Sequence, residues 1–140
     1  MIPYGRQNIT PADIVLWTLE NAKGGKIFVP KIPSYHITDV AKAIGPECEY
    51  PIIGIRPSEK IHEEMITASD SFNTVDIGKY FAILPTAGVH SVESYCKAYG
   101  GQPVLPGYAY NSGTNTDFLS VEQLRQLIAE HVTRTDANFA

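Results

Sequence analysis

An arginine followed three residues later by a glutamate can read a phosphorylated ligand. Arg56 and Glu59 stand in that relation within Gly54-Ile55-Arg56-Pro57-Ser58-Glu59-Lys60-Ile61-His62-Glu63. The apolar run Pro51-Ile52-Ile53-Gly54-Ile55 reads as a short strand, and an arginine at its end would be held rigidly. A guanidinium presents a planar fork of donors that matches two phosphate oxygens. Pro57 fixes the exit of the chain, and the Glu59 carboxylate, an acceptor only, suits the hydroxyls of a ribose. Together the two could read a nucleoside diphosphate. The same residues have a plainer reading. Arg56 would pair with a surface carboxylate, and Glu59 would sit in a first helical turn, favoured by the helix dipole. On these residues alone the plainer reading is preferred.

The other candidates are weaker. His62-Glu63-Glu64-Met65-Ile66 resembles the start of a zinc-protease helix, but Ile66 stands where the second histidine must be. With four histidines scattered along the chain, no metal site is expected. Lys31 could face substrate but is rather expected in solvent, and Phe28-Val29-Pro30 as core followed by a bend. Asn111, Ser112, Asn115 and Thr116 are turn formers that shape the loop before the last helix. Tyr4, Tyr95 and Tyr99 receive no role. The glycines never satisfy G-x-G-x-x-G or the looser G-x-x-G-x-x-G, so no backbone cradle for a pyrophosphate is read here. A phosphate-binding G-x-x-x-x-G-K-[ST] loop, a G-x-S-x-G elbow and a Tyr-x-x-x-Lys pair are also missing from the sequence. No catalytic residue is assigned.

The elements that must position these residues follow from periodicity. Thr10 as cap, Pro11 at the first helical position and Asp13 suit a helix start. Ala12, Val15, Leu16, Leu19 and Ala22 then form one apolar stripe on a helix that ends at Gly24-Gly25. Ile27-Phe28-Val29 reads as a buried strand closed by Pro30. Thr38 caps a second helix through Val40, Ala41 and Ile44, stopped by Gly45-Pro46, with the glycine taking a left-handed turn. The polar stretch from Arg56 to Glu64 is expected to be helical toward Met65. Asn73 to Ile77, Tyr80 to Leu84 and Tyr108 to Tyr110 read as strands. Residues 85–107, rich in Pro and Gly, read mostly as an irregular excursion. Ser120-Val121-Glu122-Gln123 opens a final helix with a capping box, its apolar face being Val121, Leu124, Leu127, Ile128 and Val132.

The whole is expected to be one mixed α/β (α+β) domain over 1–140, with flexible ends at 1–8 and 133–140. Its strands are too few for a complete doubly wound sheet. At 140 residues and 44% hydrophobic content, with 19% charged residues, a packed core is expected and general disorder is not. The net charge of −4 argues against a nucleic-acid surface. No apolar run is long enough to span a membrane, and the N-terminus lacks an apolar signal region. Cys48 and Cys96 make no disulfide framework, so a cytoplasmic protein with reduced thiols is expected.

Three ordered segments carry a resemblance: Gly25-Lys26-Ile27-Phe28-Val29-Pro30-Lys31-Ile32-Pro33-Ser34, then Ile53 to Glu63, then Tyr110-Asn111-Ser112-Gly113-Thr114-Asn115-Thr116. They closely resemble the C-terminal part of the inverting UDP-N-acetylglucosamine 4,6-dehydratases. These are extended short-chain dehydrogenase/reductases of nucleotide-sugar and polysaccharide biosynthesis. The resemblance runs from about Ile9 to about His131 and is weakest over 72–107. It implies a small C-terminal substrate-binding lobe without its Rossmann lobe. The Rossmann lobe would hold NADP and the catalytic groups, so this chain is expected to be inactive alone. Arg56 and Glu59 map onto the family's contacts to the nucleotide part of a UDP-sugar. Ser58 departs from the family's usual Gly. It costs stability if that position needs a positive φ, and serves well if it is merely a helix cap. Expected partners are the UDP-sugar, the Rossmann lobe or a separate subunit carrying it, and a second copy through exposed apolar surface. The alternatives are a stand-alone nucleotide-sugar-binding or assembly module, an inactive truncated product, and the sister capsular 4,6-dehydratase/5-epimerases. The Arg-Pro and His-Glu surroundings fit the inverting branch better.

Overall fold

A computed structural model describes residues 11–22, 24–87 and 91–132. Its helices and short strands alternate along the chain, the mixed α/β class expected. Contacts group the described residues into two compact units, one within 11–32 and 63–114, the other within 33–62 and 115–132.

The first unit is built on a four-stranded sheet. Its strands are β1 (Ile27–Pro30), β3 (Thr74–Asp76), β4 (Tyr80–Ile83) and β5 (Gln102–Pro103), in the order β1-β4-β3-β5. Every pairing is antiparallel, with Val29 opposite Phe81 and Val75 opposite Ala82. Successive residues of β4 point to opposite faces, and both faces are covered. Ala82 joins Val75, Leu84 and Tyr95, the last from helix α3 (Val92–Tyr99). Phe81 joins Val29, Ile66 and Tyr110, the last two from the short pair β2 (Glu64–Ile66) and β6 (Tyr110–Asn111). Burial on both sides is why β4 reads as a continuous apolar run rather than an alternating one. β5 lies close against β3. A Cβ at Gly101, whose φ is +108°, would sit 2.6 Å from the Asp76 carbonyl oxygen, so only glycine fits there.

Helix α1 (Pro11–Asn21) forms where its periodicity places it, but it does not bury the expected stripe. Trp17 packs edge-on against Phe28 at 4.9 Å and tilts over Tyr80 at 4.7 Å between ring centroids. That contact turns Val15, Leu16 and Leu19 outward, at 57%, 61% and 75% exposure. The Thr10 cap lies outside the described residues.

The second unit pairs α2 (Ile37–Ile44) with α4 (Val121–His131). Arg125 Nη2 donates to the Lys42 carbonyl at 3.2 Å, and Leu124 is buried. Ser120 and Gln123 form the capping box read from sequence. α2 starts two residues earlier than expected, with His36 rather than Thr38 as its cap residue, and that ring stacks on Phe118 at 4.7 Å. Gly45 ends α2 with φ −136°, not in a left-handed turn. Its lack of a side chain leaves room for Cys48, whose Sγ would be 2.8 Å from an added Cβ.

Three further expectations need correction. Residues 51–55 are not a strand, because no neighbouring strand takes up their backbone hydrogen bonds. Residues 56–63 are not helical, because Pro57 and a positive φ at Ser58 build a tight turn instead, and the chain goes on into β2. The stretch 85–107 is less irregular than expected, because it holds α3 and β5. Helix α3 contains neither glycine nor proline, Pro103 lies within β5, and Ser91 Oγ caps α3 by accepting the Ser94 N–H. No described helix is long and apolar enough to cross a membrane.

Candidate functional site

Arg56, Pro57, Ser58 and Glu59 form a β-turn closed by the Glu59 N–H on the Arg56 carbonyl at 3.1 Å. Proline at the second position and φ +71° at the third are the signature of a type II turn. The turn brings the two candidate side chains together. Glu59 Oε2 accepts the backbone N–H of Arg56 at 2.8 Å, and Oε1 lies 3.9 Å from Arg56 Nε. The carboxylate paired with Arg56 is therefore Glu59 itself. The exposure of the two side chains is 72% and 48%, so water screens the pair and its net contribution to stability is small. The terminal nitrogens of the guanidinium have no hydrogen-bond partner among the described residues. That leaves the fork open for two oxygens of an anion.

Around this turn the chain is bare. Ile52, Ile53, Ile55 and Ile61 are 98%, 75%, 62% and 80% exposed. Among the described residues, the only hydrogen bonds of 51–61 are the two that close the turn. His62 is exposed, and no cluster of three metal-ligating side chains occurs among the described residues.

The first and third motif segments are held differently. The Tyr110 hydroxyl accepts the Ile32 N–H at 2.9 Å and donates to the Ile32 carbonyl at 2.8 Å. Ser112 Oγ accepts the Glu63 N–H at 3.1 Å, while the Ser112 N–H reaches the Glu63 carbonyl at 2.9 Å. Asn111 Oδ1 folds the following turn by accepting the N–H groups of Gly113 and Thr114, both at 2.9 Å. In the second unit, Asn115 Nδ2 donates to Ser34 Oγ at 2.9 Å, and the Ser34 N–H donates to the Asp117 carbonyl at 2.8 Å. Sequence reasoning gave Tyr110 and Ser34 no role. Their polar tips inside otherwise apolar or turn-forming segments are the only signal that could have marked them.

Lys31 is not simply solvated. Its Nζ donates to both Asp76 oxygens at 2.7 Å and lies 4.6 Å from the Phe81 ring centroid. This occupies the ammonium inside the fold.

The described residues do not fit a dinucleotide cofactor. Such a ligand needs a parallel βαβ unit with a glycine-rich turn opening its helix. The sheet here is antiparallel throughout, and the passage from β1 to α2 contains no glycine.

Comparison with known proteins gives a consistent picture. A family profile described as "Polysaccharide biosynthesis protein" matches residues 9–85, more than half of the chain. The chain is 42% identical over 118 residues to a UDP-N-acetylglucosamine 4,6-dehydratase (inverting) of Campylobacter jejuni, a match covering 81% of this chain and 35% of that protein. It is 32% identical over 126 residues to a UDP-glucose 4-epimerase of Rickettsia felis, covering 86% of this chain and 36% of the other. Among solved structures, Pen from Bacillus thuringiensis superposes with a TM-score of 0.63 at 24% identity, over 82% of this chain and 34% of that one, a likeness of fold. The chain thus spans about a third of the length of the curated relatives it matches. With its profile match and its kinship to enzymes named for nucleotide sugars, the chain belongs to the polysaccharide biosynthesis protein family.

Proposed function

We propose that this chain is the UDP-sugar-binding, C-terminal portion of an inverting UDP-N-acetylglucosamine 4,6-dehydratase. The 42% identity to such a dehydratase, together with an open guanidinium fork at the matching motif, supports this reading most strongly. Arg56 places its terminal nitrogens on the diphosphate oxygens. Glu59 keeps Oε2 on the Arg56 N–H and offers Oε1 to the ribose hydroxyls. Hydride transfer in the whole enzyme rests on NADP, which the rest of the enzyme binds. The outward stripe Val15, Leu16 and Leu19 is the surface that the cofactor-binding lobe covers.

Titration of the isotopically labelled chain with UDP and UDP-N-acetylglucosamine tests the reading by NMR. Half a site binds weakly, with a Kd on the order of millimolar, or about 4 kcal/mol. Shifts should centre on residues 54–62. Arg56→Ala should abolish binding, since a charge-assisted contact contributes about 1.5–3 kcal/mol. Arg56→Lys should not restore it, because lysine lacks the planar fork. Glu59→Gln should weaken UDP more than a 2′,3′-dideoxy analogue. Shifts elsewhere, or an Arg56→Ala chain that binds as well as the parent, would reduce the pair to a structural one.

A further inference from the structure

We propose that α2 and α4 form an order–disorder element: the two helices open and close together as one block while the sheet of the first unit stays folded. Burial is shared unevenly between the units. Among the described residues, nine of the ten buried apolar side chains belong to the first unit, and the second has Leu124 alone. Ile37 and Ile44 of α2 are 76% and 71% exposed, and the four isoleucines of 51–61 face solvent as well. Neither helix is long enough to hold itself. α2 has 8 residues and α4 has 11, and isolated helices of fewer than about 12–15 residues are marginal in water. Their order therefore comes from each other. α2 packs on α4, and Arg125 Nη2 donates to the Lys42 carbonyl. Ahead of the two helices the Ser34 N–H donates to the Asp117 carbonyl at 2.8 Å, the Leu119 N–H to the Ser34 carbonyl at 2.9 Å, and the His36 ring stacks on Phe118. When one helix melts, the other loses the surface that orders it, so the two melt together. The sheet, with a buried cluster on each face, does not depend on them. The block thus lies at the low end of the chain's stability range, the end from which ligand-binding and moving segments are drawn, and the unit that contains it also carries Arg56 and Glu59. The opening needs no nucleotide and does not rest on the nucleotide reading.

Native-state hydrogen exchange of the full chain, without ligand and in rising sub-denaturing urea, tests this. The amides of α2 and α4 should share one opening with one urea dependence. They should be at least about ten-fold less protected than those of β3 and β4, which exchange only on global unfolding. Leu124→Ala should lower protection by about 10–100-fold, or remove it, in α2 and α4 alike, with β3 and β4 unchanged. Ser120→Ala is the sharper variant. Among the described residues Ser120 bonds only within its own cap, to Gln123 and Leu124. Its loss should nevertheless lower protection about five-fold in α2 as well as in α4. Ser91→Ala, which removes the cap of α3 in the first unit, should leave α2 and α4 as they are. The proposal is overturned if the helices and the sheet exchange in one step, if the Ser120→Ala effect stays within α4, or if Leu124→Ala unfolds the sheet too. Loss of α2 and α4 with the sheet still protected carries it, whether or not the chain binds UDP.

Discussion

Tyr110 and Arg56 both carry a polar tip on a long side chain within a motif segment, yet the fold treats them in opposite ways. Tyr110 is 8% exposed, and its hydroxyl makes two bonds to Ile32, a residue 78 positions away. Arg56 is exposed and, among the described residues, is tied only to Glu59, three positions on. The first arrangement fixes the sheet region through contacts distant in sequence. The second leaves its donors facing water on a local turn. The difference separates residues that hold the shape from residues free to meet something else. A side chain whose hydrogen bonds are all made inside the fold has nothing left for a ligand.

Substitutions can break this contrast or sharpen it. The largest effect is expected from the core under Tyr110. Ile66 is fully buried, and Ile66→Ala should cost about 2–5 kcal/mol in denaturant unfolding. The same change at Ile52, 98% exposed, should stay within about 0.5 kcal/mol. Equal losses at the two sites would mean that the exposed segment is packed in solution. Next comes Tyr110→Phe, which keeps the ring in its cluster and removes both bonds to Ile32. A loss of about 1–2 kcal/mol is expected, against almost none for Glu59→Gln.

The smallest effect lies at Asp70, in the sheet-bearing unit. Its Oδ2 accepts from the Thr67 hydroxyl at 2.6 Å and the Thr67 N–H at 3.1 Å, and these bonds hold its carboxyl below the usual range. A folded-state value below the unfolded one means the contribution is present above the unfolded value of 3.8 and fades as pH falls through the folded one. Asp70→Asn should therefore lower the unfolding midpoint slightly at neutral pH. Parent and variant should converge in acid, once the pH is below the folded-state value. A gap that persists in acid would show that the charge is not what matters there.

How much of this was legible in the residues depends on whether the signal is local. The Ser120 capping box needs only four consecutive residues and was read correctly, as was the apolar run of β4. The α1 periodicity gave a helix but the wrong buried face. The face was decided by Trp17 meeting Phe28 and Tyr80, contacts that no helical repeat encodes. Ile52 to Ile55 carried strand composition, but a strand also needs a partner edge, and none pairs with them. Helix α3 was hidden because glycine and proline density was read across a whole window, while its eight residues contain neither. At the candidate site, the Arg56–Glu59 spacing was visible, but the turn that joins them was not. Serine at a positive φ is a choice that sequence rules weigh against.

The bonds from Tyr110 to Ile32 also bear on the order of events during synthesis. The strand that ends at Pro30 precedes its partner β4 and the tyrosine that ties down Ile32 by about fifty residues or more. At roughly 5–20 residues per second, the ribosome leaves Ile32 waiting several seconds for Tyr110 to be made. Until β4 is made, Ile27, Phe28 and Val29 lack the strand they pair with. The sheet region therefore closes fully only after Tyr110 has been made.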